Sequence, residues 1–332
     1  MKVLFIGGTG VISSACSALA VERGLDLYLL NRGESKRAIP SAAKVLKGDI
    51  RDPESARSAL GDLHFDIIVD WIAFTPDHIE ADIELFRDRT DQFIFISSAS
   101  AYQKPPSHPI ITESTPLYNP YWLYSQNKIA CELRLTQAHR DEGFPITIVR
   151  PSLTYDQMNF PIAIGGWNSY TLIDRLKTGR PIIVHGDGSS LWVVTHSDDF
   201  ARGFVGLLGN GQAIGHAFHI TSDEVLTWNQ IYEIIADAPG VSRPNLVHIA
   251  SEFIAKIAPT TGDGLLGDKA WSVIFDNTKI KTFVPGFQAV IPFRDGIRRS
   301  LSWFEADRKR CWIDAGVNEE MDKILAAYKA LA

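Results

Sequence analysis

Short apolar runs alternate with stretches of helical periodicity through the first half of the chain. Lys2–Ile6 (KVLFI) is almost wholly apolar and stops at Gly7, the pattern of a strand covered on both faces. From Val11 to Arg23 apolar positions recur at helical spacing, and Gly24 closes the segment. Further strands are read at Leu25–Leu30 (LDLYLL), within AKVLKGDI up to Gly48, at FDIIVDWIA, at QFIFISSAS and at PITIVRP. Helices are expected after Pro53, where a missing N–H costs little, and from Pro120 to His139. Strands spaced by helices in this way form βαβ units. The expected fold class is therefore α/β, a doubly wound parallel sheet with helices on both faces.

Beyond Pro151 the rhythm breaks. Glycine, proline and tryptophan become frequent, as in GGWNSY and HGDGSSLW. The pattern divides the chain into residues 1–155, a dinucleotide-type sheet domain, and 156–332, mainly a smaller substrate-binding lobe, with sheet elements returning around 181–220. Ala258–Trp271 (APTTGDGLLGDKAW) reads as a surface loop or short helices that could face a substrate.

Composition narrows the possible partners. The charged fraction of 22% and hydrophobic fraction of 45% are those of an ordinary globular enzyme. The net charge of −6 argues against nucleic acid or an anionic membrane as the main partner. Cys16, Cys131 and Cys311 lie far apart without a C-x-x-C, so neither a metal site nor a disulfide framework is suggested. No signal peptide or membrane span is read, and a cytoplasmic location follows by default.

The first turn, GGTGVIS, fits two registers: Gly7-x-x-Gly10-x-x-Ser13 and Gly8-x-Gly10-x-x-Ser13. In both, glycines after a strand let the backbone approach a pyrophosphate at a helix N-terminus. Ser13 replaces the last expected glycine, which serves helix–strand packing; serine is small enough to stand there and could donate to the phosphate. After the second strand, Asn31 stands where an acidic residue would bind ribose hydroxyls, and Arg32 follows, with Arg37 near. This tilts the cofactor toward NADP or toward use of both NAD and NADP. Asp49 is a candidate partner for an adenine amino group, whereas Asp52 is better placed as the cap of the helix at Pro53.

YSQNK puts Tyr124 and Lys128 four residues apart on a helix, hence on one face. A lysine there is expected to lower the tyrosine pKa and make Tyr124 an acid/base near neutral pH. Ser98, at the end of the fifth strand, can hydrogen-bond the reacting oxygen. Such a set suits hydride transfer at a carbinol carbon.

These segments resemble the extended short-chain dehydrogenases/reductases of the NAD-dependent epimerase/dehydratase family. The resemblance covers nearly the whole chain. It rests on GGTGVIS, GDIRD, FIFISSASAY, the spaced Glu113 to Glu132 segment with its Y-x-x-x-K, IVRPSLTY and HGDGSSLWVVTHSDDFARGF. It implies a Rossmann-type fold with Ser98, Tyr124 and Lys128 as catalytic trio. Cofactor contacts are expected from Gly7, Gly8, Thr9, Gly10, Val11 and Ile12. Others are expected from Asn31, Arg32, Arg37, Asp49, Ile50, Ala73 and Phe74, and from Tyr124, Lys128, Pro151 and Leu153. His196 with Asp198 or Asp199 would form the hinge returning to the sheet, and a homodimer is implied.

Departures bear on the substrate. Sugar-nucleotide members carry an arginine shortly after the GDG segment, and Trp192 stands near that place here. A neutral indole cannot clamp a pyrophosphate, but it can stack on a sugar; core packing is the other reading. Arg175, Lys177 and Arg180 could supply the missing charge or be solvated. Ser100 and Tyr102, close to Ser98, are further candidate substrate contacts. Trp122, Trp167, Trp228 and Trp271 could line a pocket or fill the core. Ala99 and Ser100 follow Ser98 where dehydratases carry an acidic pair, so 4,6-dehydration is disfavoured and Glu113 and Glu132 are not read as its acid/base. The expected function is an NAD(P)-dependent epimerase or keto-reductase acting on a sugar-like small molecule. The alternative is a non-catalytic dinucleotide- or RNA-binding protein of the same fold.

Overall fold

The computed structural model describes residues 1–331. Five strands open the chain: β1 (Lys2–Ile6), β2 (Asp26–Asn31), β3 (Lys44–Lys47), β4 (Phe65–Asp70) and β5 (Thr90–Ile96). Between them run α1 (Ser13–Glu22), α2 (Pro53–Leu60) and α3 (Pro76–Phe86). Next come β6 (Ile110–Ile111), α4 (Leu123–Glu142), β7 (Ile146–Pro151) and β8 (Leu153–Tyr155). The remainder used here comprises α5 (Thr171–Lys177), β9 (Ile182–His185), β10 (Leu191–His196), α6 (Ser197–Val205) and β11 (Ala217–Ile220), then β12 (Val225–Thr227), β13 (Leu246–Ile249) and β14 (Ile274–Phe275).

Seven strands form one sheet in the order β3-β2-β1-β4-β5-β7-β11. Every adjacent pair is parallel, as Lys2 beside Asp26 and Val3 beside Ile67 show for β1. The order reverses between β1 and β4, which opens a crevice at the carboxyl ends of the strands. Buried apolar residues of α1 and α6 cover one face of the sheet; those of α2, α3 and α4 cover the other. Asp52 caps α2 by accepting the Glu54 and Ser55 amides at 3.0 and 3.2 Å.

The second half differs from the sequence reading in one respect. Of the stretch around 181–220, only α6 and β11 return to the main sheet. β9 pairs with β13, and β10 pairs with β8 and β12, in small sheets of their own. The boundary at 155 is also crossed: β6 pairs with β14, and Ala99, Tyr102 and Ile111 pack in the lobe's core. His196 caps α6, and Asp199 accepts the Val290 and Ile291 amides at 3.0 and 2.8 Å, tying α6 to the chain's last third. Among the described residues no helix is long and apolar enough to cross a membrane.

Candidate active site

The first turn is built by glycine geometry. Gly7 and Gly8 have φ of 101° and 84°, values that disfavour any side chain. A Cβ on Gly8 would fall 2.6 Å from Leu29 Cδ2. Ser13 serves the turn itself: its hydroxyl oxygen accepts the Gly10 amide at 2.7 Å. A cavity of about 390 Å³ opens beside the turn, lined by Gly7, Thr9, Asn31, Arg32, Asp49 and Phe74 among others. Ile50 forms part of its wall and is otherwise buried in the core.

Tyr124 and Lys128 lie at the start of α4, facing the ends of β4 and β5. Lys128 is buried, and its ammonium donates to the carbonyls of Ala73 at 2.6 Å and Ile96 at 2.7 Å. Burial brings its pKa down from 10.5 to about 8, with the Asp70 carboxylate opposing. The Phe74 and Phe95 rings lie 4.7 and 4.8 Å from its Nζ.

Tyr124 is half-buried. Burial pushes its phenol pKa up, and a hydrogen bond with Ser98 pulls it down. The expectation that Lys128 lowers it is corrected: the ammonium is engaged by two carbonyls, and the acidifying partner is the serine. Ser98 itself ends a relay. The Ser125 hydroxyl donates to Ser100 Oγ at 2.7 Å, and Ser100 Oγ lies 2.8 Å from Ser98 Oγ. The Ser100 amide also donates to Ser98 Oγ, at 3.2 Å. Either hydroxyl can donate in the Ser98–Ser100 pair; when Ser100 donates, the Ser98 proton is left for another acceptor.

The sequence model of the "NAD dependent epimerase/dehydratase family" matches residues 3–221. The chain belongs to this family. It is 27% identical to the "Chloroplast stem-loop binding protein of 41 kDa b, chloroplastic" of Arabidopsis thaliana, over 74% of this chain and 65% of that one. It is 24% identical to the "2'-dehydrokanamycin reductase" of Streptomyces kanamyceticus, over 87% of this chain and 80% of the relative. The chain thus spans less than two thirds of the first of these relatives. In fold it resembles an epimerase of Methanothermobacter thermautotrophicus, with a TM-score of 0.75, 19% identity and 93% of each chain covered. It also resembles a dTDP-glucose 4,6-dehydratase of Bacillus anthracis in complex with NAD, with a TM-score of 0.73, 16% identity and coverage of 93% and 98%.

In this family member several residues singled out from the sequence stand elsewhere. Arg37 does not face the cavity beside Arg32. It is ion-paired with Asp156 at the rim of a second cavity of about 540 Å³ that Val11 also lines. Ile12 packs into the core beneath α1. Arg32 is exposed and pairs with Glu34 at 2.9 Å. Pro151 ends β7, paired with Ile220 of β11. The Leu153 side chain lies in the lobe's core.

All three candidate substrate contacts are corrected. Ser100 is buried behind Ser98 as the relay described. Tyr102 is buried, its hydroxyl 3.0 Å from His219 Nδ1 and its ring 4.8 Å from the Arg150 guanidinium carbon. Trp192 is 1% exposed, packed 5.7 Å from the Trp228 ring, so its faces are occupied by core. Arg175 is not solvated but buried, bound to the Pro181 carbonyl and Asn318, while Lys177 and Arg180 pair with Glu305 and Asp322. Glu132 pairs with Arg150 at 2.6 Å inside the protein, and Glu113 accepts the His219 amide.

Asp70, which the sequence reading passed over, sets the loop that receives Lys128. Its Oδ1 accepts the Ile72 and Ala73 amides at 2.6 and 2.9 Å, and Arg51 meets its Oδ2 at 3.1 Å. The signal was a carboxylate closing the apolar run Ile67–Val69 at the carboxyl end of its strand.

Proposed function

We propose that this chain is an NAD(P)-dependent epimerase or oxidoreductase acting at a carbinol or ketone carbon of a sugar-like substrate, with Ser98, Tyr124 and Lys128 as its catalytic residues. The observation that carries the reading is Lys128, fixed by the Ala73 and Ile96 carbonyls one helical turn from a half-buried Tyr124, its Nζ 5.8 Å from the centre of the phenol ring. The first turn fits a dinucleotide: positive-φ glycines leave no Cβ in the way, and a cavity of about 390 Å³ lies beside them. Gly7, Thr9, Asn31, Arg32 and Asp49 would hold its adenosine half. A bound nicotinamide supplies the hydride acceptor and donor.

The chain's own residues handle the proton and the orientation. Ser98, its proton left free when Ser100 donates to it, donates to the substrate oxygen and fixes the carbon's approach. Tyr124 takes the hydroxyl proton on oxidation and returns it on reduction. Lys128 spends two of its N–H bonds on the loops after β4 and β5 and keeps a third for the cleft. No acidic pair follows Ser98, so dehydration is not part of the proposal. The family's name supports the cofactor class, and the relatives' names support reductase and epimerase chemistry. A homodimer through α4, which leaves Leu133 63% exposed, belongs to the same reading; sedimentation tests it.

The purified protein is incubated with NAD or NADP and a panel of sugars, sugar phosphates and nucleotide sugars, with reduced-nicotinamide absorbance and product stereochemistry followed. Substrate-dependent reduction or epimerisation supports the reading; bound cofactor with neither outcome overturns it. RNA binding is the second reading, favoured by the name of the stem-loop-binding relative. Salt-sensitive capture of stem-loop RNA would speak for it.

A further inference from the structure

The mechanism leaves one fully buried carboxyl group unused. Asp82, on α3, is 0% exposed, and neither of its oxygens has a hydrogen-bond partner. It lies against the guanidinium of Arg51. Arg51 Nη1 is 3.5 Å from Asp82 Oδ1, while Arg51 Nη2 is 3.1 Å from Asp70 Oδ2. Asp70, the last residue of β4, is also 0% exposed. Two carboxyl groups therefore share one cation in the interior, and Ile79 and Ile83, beside Asp82 on α3, belong to the core.

This cluster reaches both parts of the site. Arg51 lines the cavity beside the first turn. Asp70 Oδ1 accepts the Ile72 and Ala73 amides, and the Ala73 carbonyl accepts the Lys128 ammonium. α3 grips the same loop a second time: His78, one turn before Asp82, accepts the Phe74 amide through Nδ1 at 3.1 Å. Ile72, Phe74 and His78 line the same cavity as Arg51, whereas Asp82 does not.

The neighbours decide the state of Asp82. Two ionised carboxylates on one guanidinium would leave an uncompensated charge in the interior, which is costly. The pair is served unequally. Asp70 accepts two amide hydrogens and one guanidinium hydrogen, while Asp82 faces the guanidinium alone and accepts none. The proton therefore resides on Asp82. Burial and the Asp70 charge push its pKa well above the carboxylate range, against the pull of Arg51. A protonated carboxyl group has a hydrogen to donate, and Asp70 is its hydrogen-bonding neighbour.

We propose that Asp82 is a positioning residue of the active site: through Arg51 and Asp70 it fixes the loop at 71–75, whose Ala73 carbonyl seats Lys128 and whose Ile72 and Phe74 wall the cavity beside the first turn. It acts as a hydrogen-bond donor and not as a charge. The effect on cofactor affinity rests on the reading of that cavity as the dinucleotide site; the effect on Lys128 does not.

The test compares the wild type with Asp82→Asn, which keeps a donor and carries no charge, and Asp82→Leu, which keeps the bulk and loses the donor. Titration of Lys128 is followed in the ligand-free chain by NMR of carbon-labelled lysine, with Lys128→Met assigning the signal. In the wild type burial holds this ammonium at about 8. Asp82→Asn should leave the titration in place. Asp82→Leu should loosen the loop, so that the better-solvated ammonium titrates higher, toward the ordinary 10.5. An ionised Asp82 predicts the opposite sign, since removing a negative charge in either variant lowers the Lys128 titration further. That result, or a titration unmoved by Asp82→Leu, overturns the proposal. NAD affinity, read by fluorescence titration, should fall about tenfold in Asp82→Leu and stay within about twofold in Asp82→Asn. Equal losses in both variants contradict the donor role. Where Asp82→Leu does not fold, Asp82→Ala takes its place with the same expectations. A chain that binds no NAD would sink the cofactor reading alone, and the Lys128 titration would still decide the role of Asp82.

Discussion

Lys128 Nζ lies 5.8 Å from the centre of the Tyr124 ring, yet its hydrogen bonds go to the Ala73 and Ile96 carbonyls. The lysine thus holds together the loops after two adjacent strands while its charge remains near the phenol. This buried position has a thermodynamic signature. Burial holds the ammonium's pKa at about 8 against the ordinary 10.5, so the folded chain releases this proton before the unfolded chain does. Its contribution to stability therefore rises with pH between those values. Lys128→Met lacks that contribution. From about pH 7 to about pH 10, the unfolding free energy of the wild type should gain about 2 kcal/mol relative to the variant, measured by urea titration at each pH. A pH-independent difference would contradict the depressed ammonium.

Ser98 should control the acidity of Tyr124. Burial raises the phenol's pKa, and the bond with Ser98 opposes that rise. In Ser98→Ala the tyrosine should titrate at higher pH than in the wild type, as seen by NMR of ring-labelled tyrosine. The rising limb of the oxidation rate, which needs the phenolate, should move up with it. A shift downward would assign the acidifying role to another group.

Cofactor choice should depend on Arg32 and not on Arg37. Arg32 lines the cavity beside Asn31, held only by an exposed pair with Glu34. Arg37 is engaged by Asp156 at another cavity. Arg32→Ala should weaken NADP about tenfold and leave NAD nearly unchanged, by fluorescence titration. Arg37→Ala should leave the ratio between the two cofactors intact.

Much of the sheet was legible because strands covered on both faces are continuous apolar runs and their carboxyl ends carry the polar residues. Gly7, Asp49 and Ser98 could be placed on that basis, and Tyr124 by its helical spacing to Lys128. The sequence did not show which polar residues near those ends turn inward. Ser100 and Tyr102 adjoin Ser98 in sequence and Trp192 follows the GDG segment, but tertiary packing takes all three into the interior. β6 pairs with β14 across nearly half the chain, and Asn119 reaches Gly267. No local pattern announces such long-range contacts. Arg37 was misplaced for a similar reason: its partner, Asp156, lies beyond the last strand of the first half.

Tyr102 offers a control for this distinction. Its hydroxyl bonds His219 inside the protein. Tyr102→Phe should cost about 1 kcal/mol of stability in urea unfolding while leaving turnover unchanged. A loss of turnover larger than the loss of folded protein would return Tyr102 to the substrate site.

The central claim is that Tyr124 moves the substrate's proton. The most direct measurement compares turnover and cofactor affinity of Tyr124→Phe with the wild type in the same preparation, once the substrate panel has supplied an active compound. The account expects turnover to fall by about a thousandfold, the range of a lost general acid–base, with the cofactor Kd within about twofold of the wild type. Turnover retained to within about tenfold, with the cofactor still bound, would contradict it.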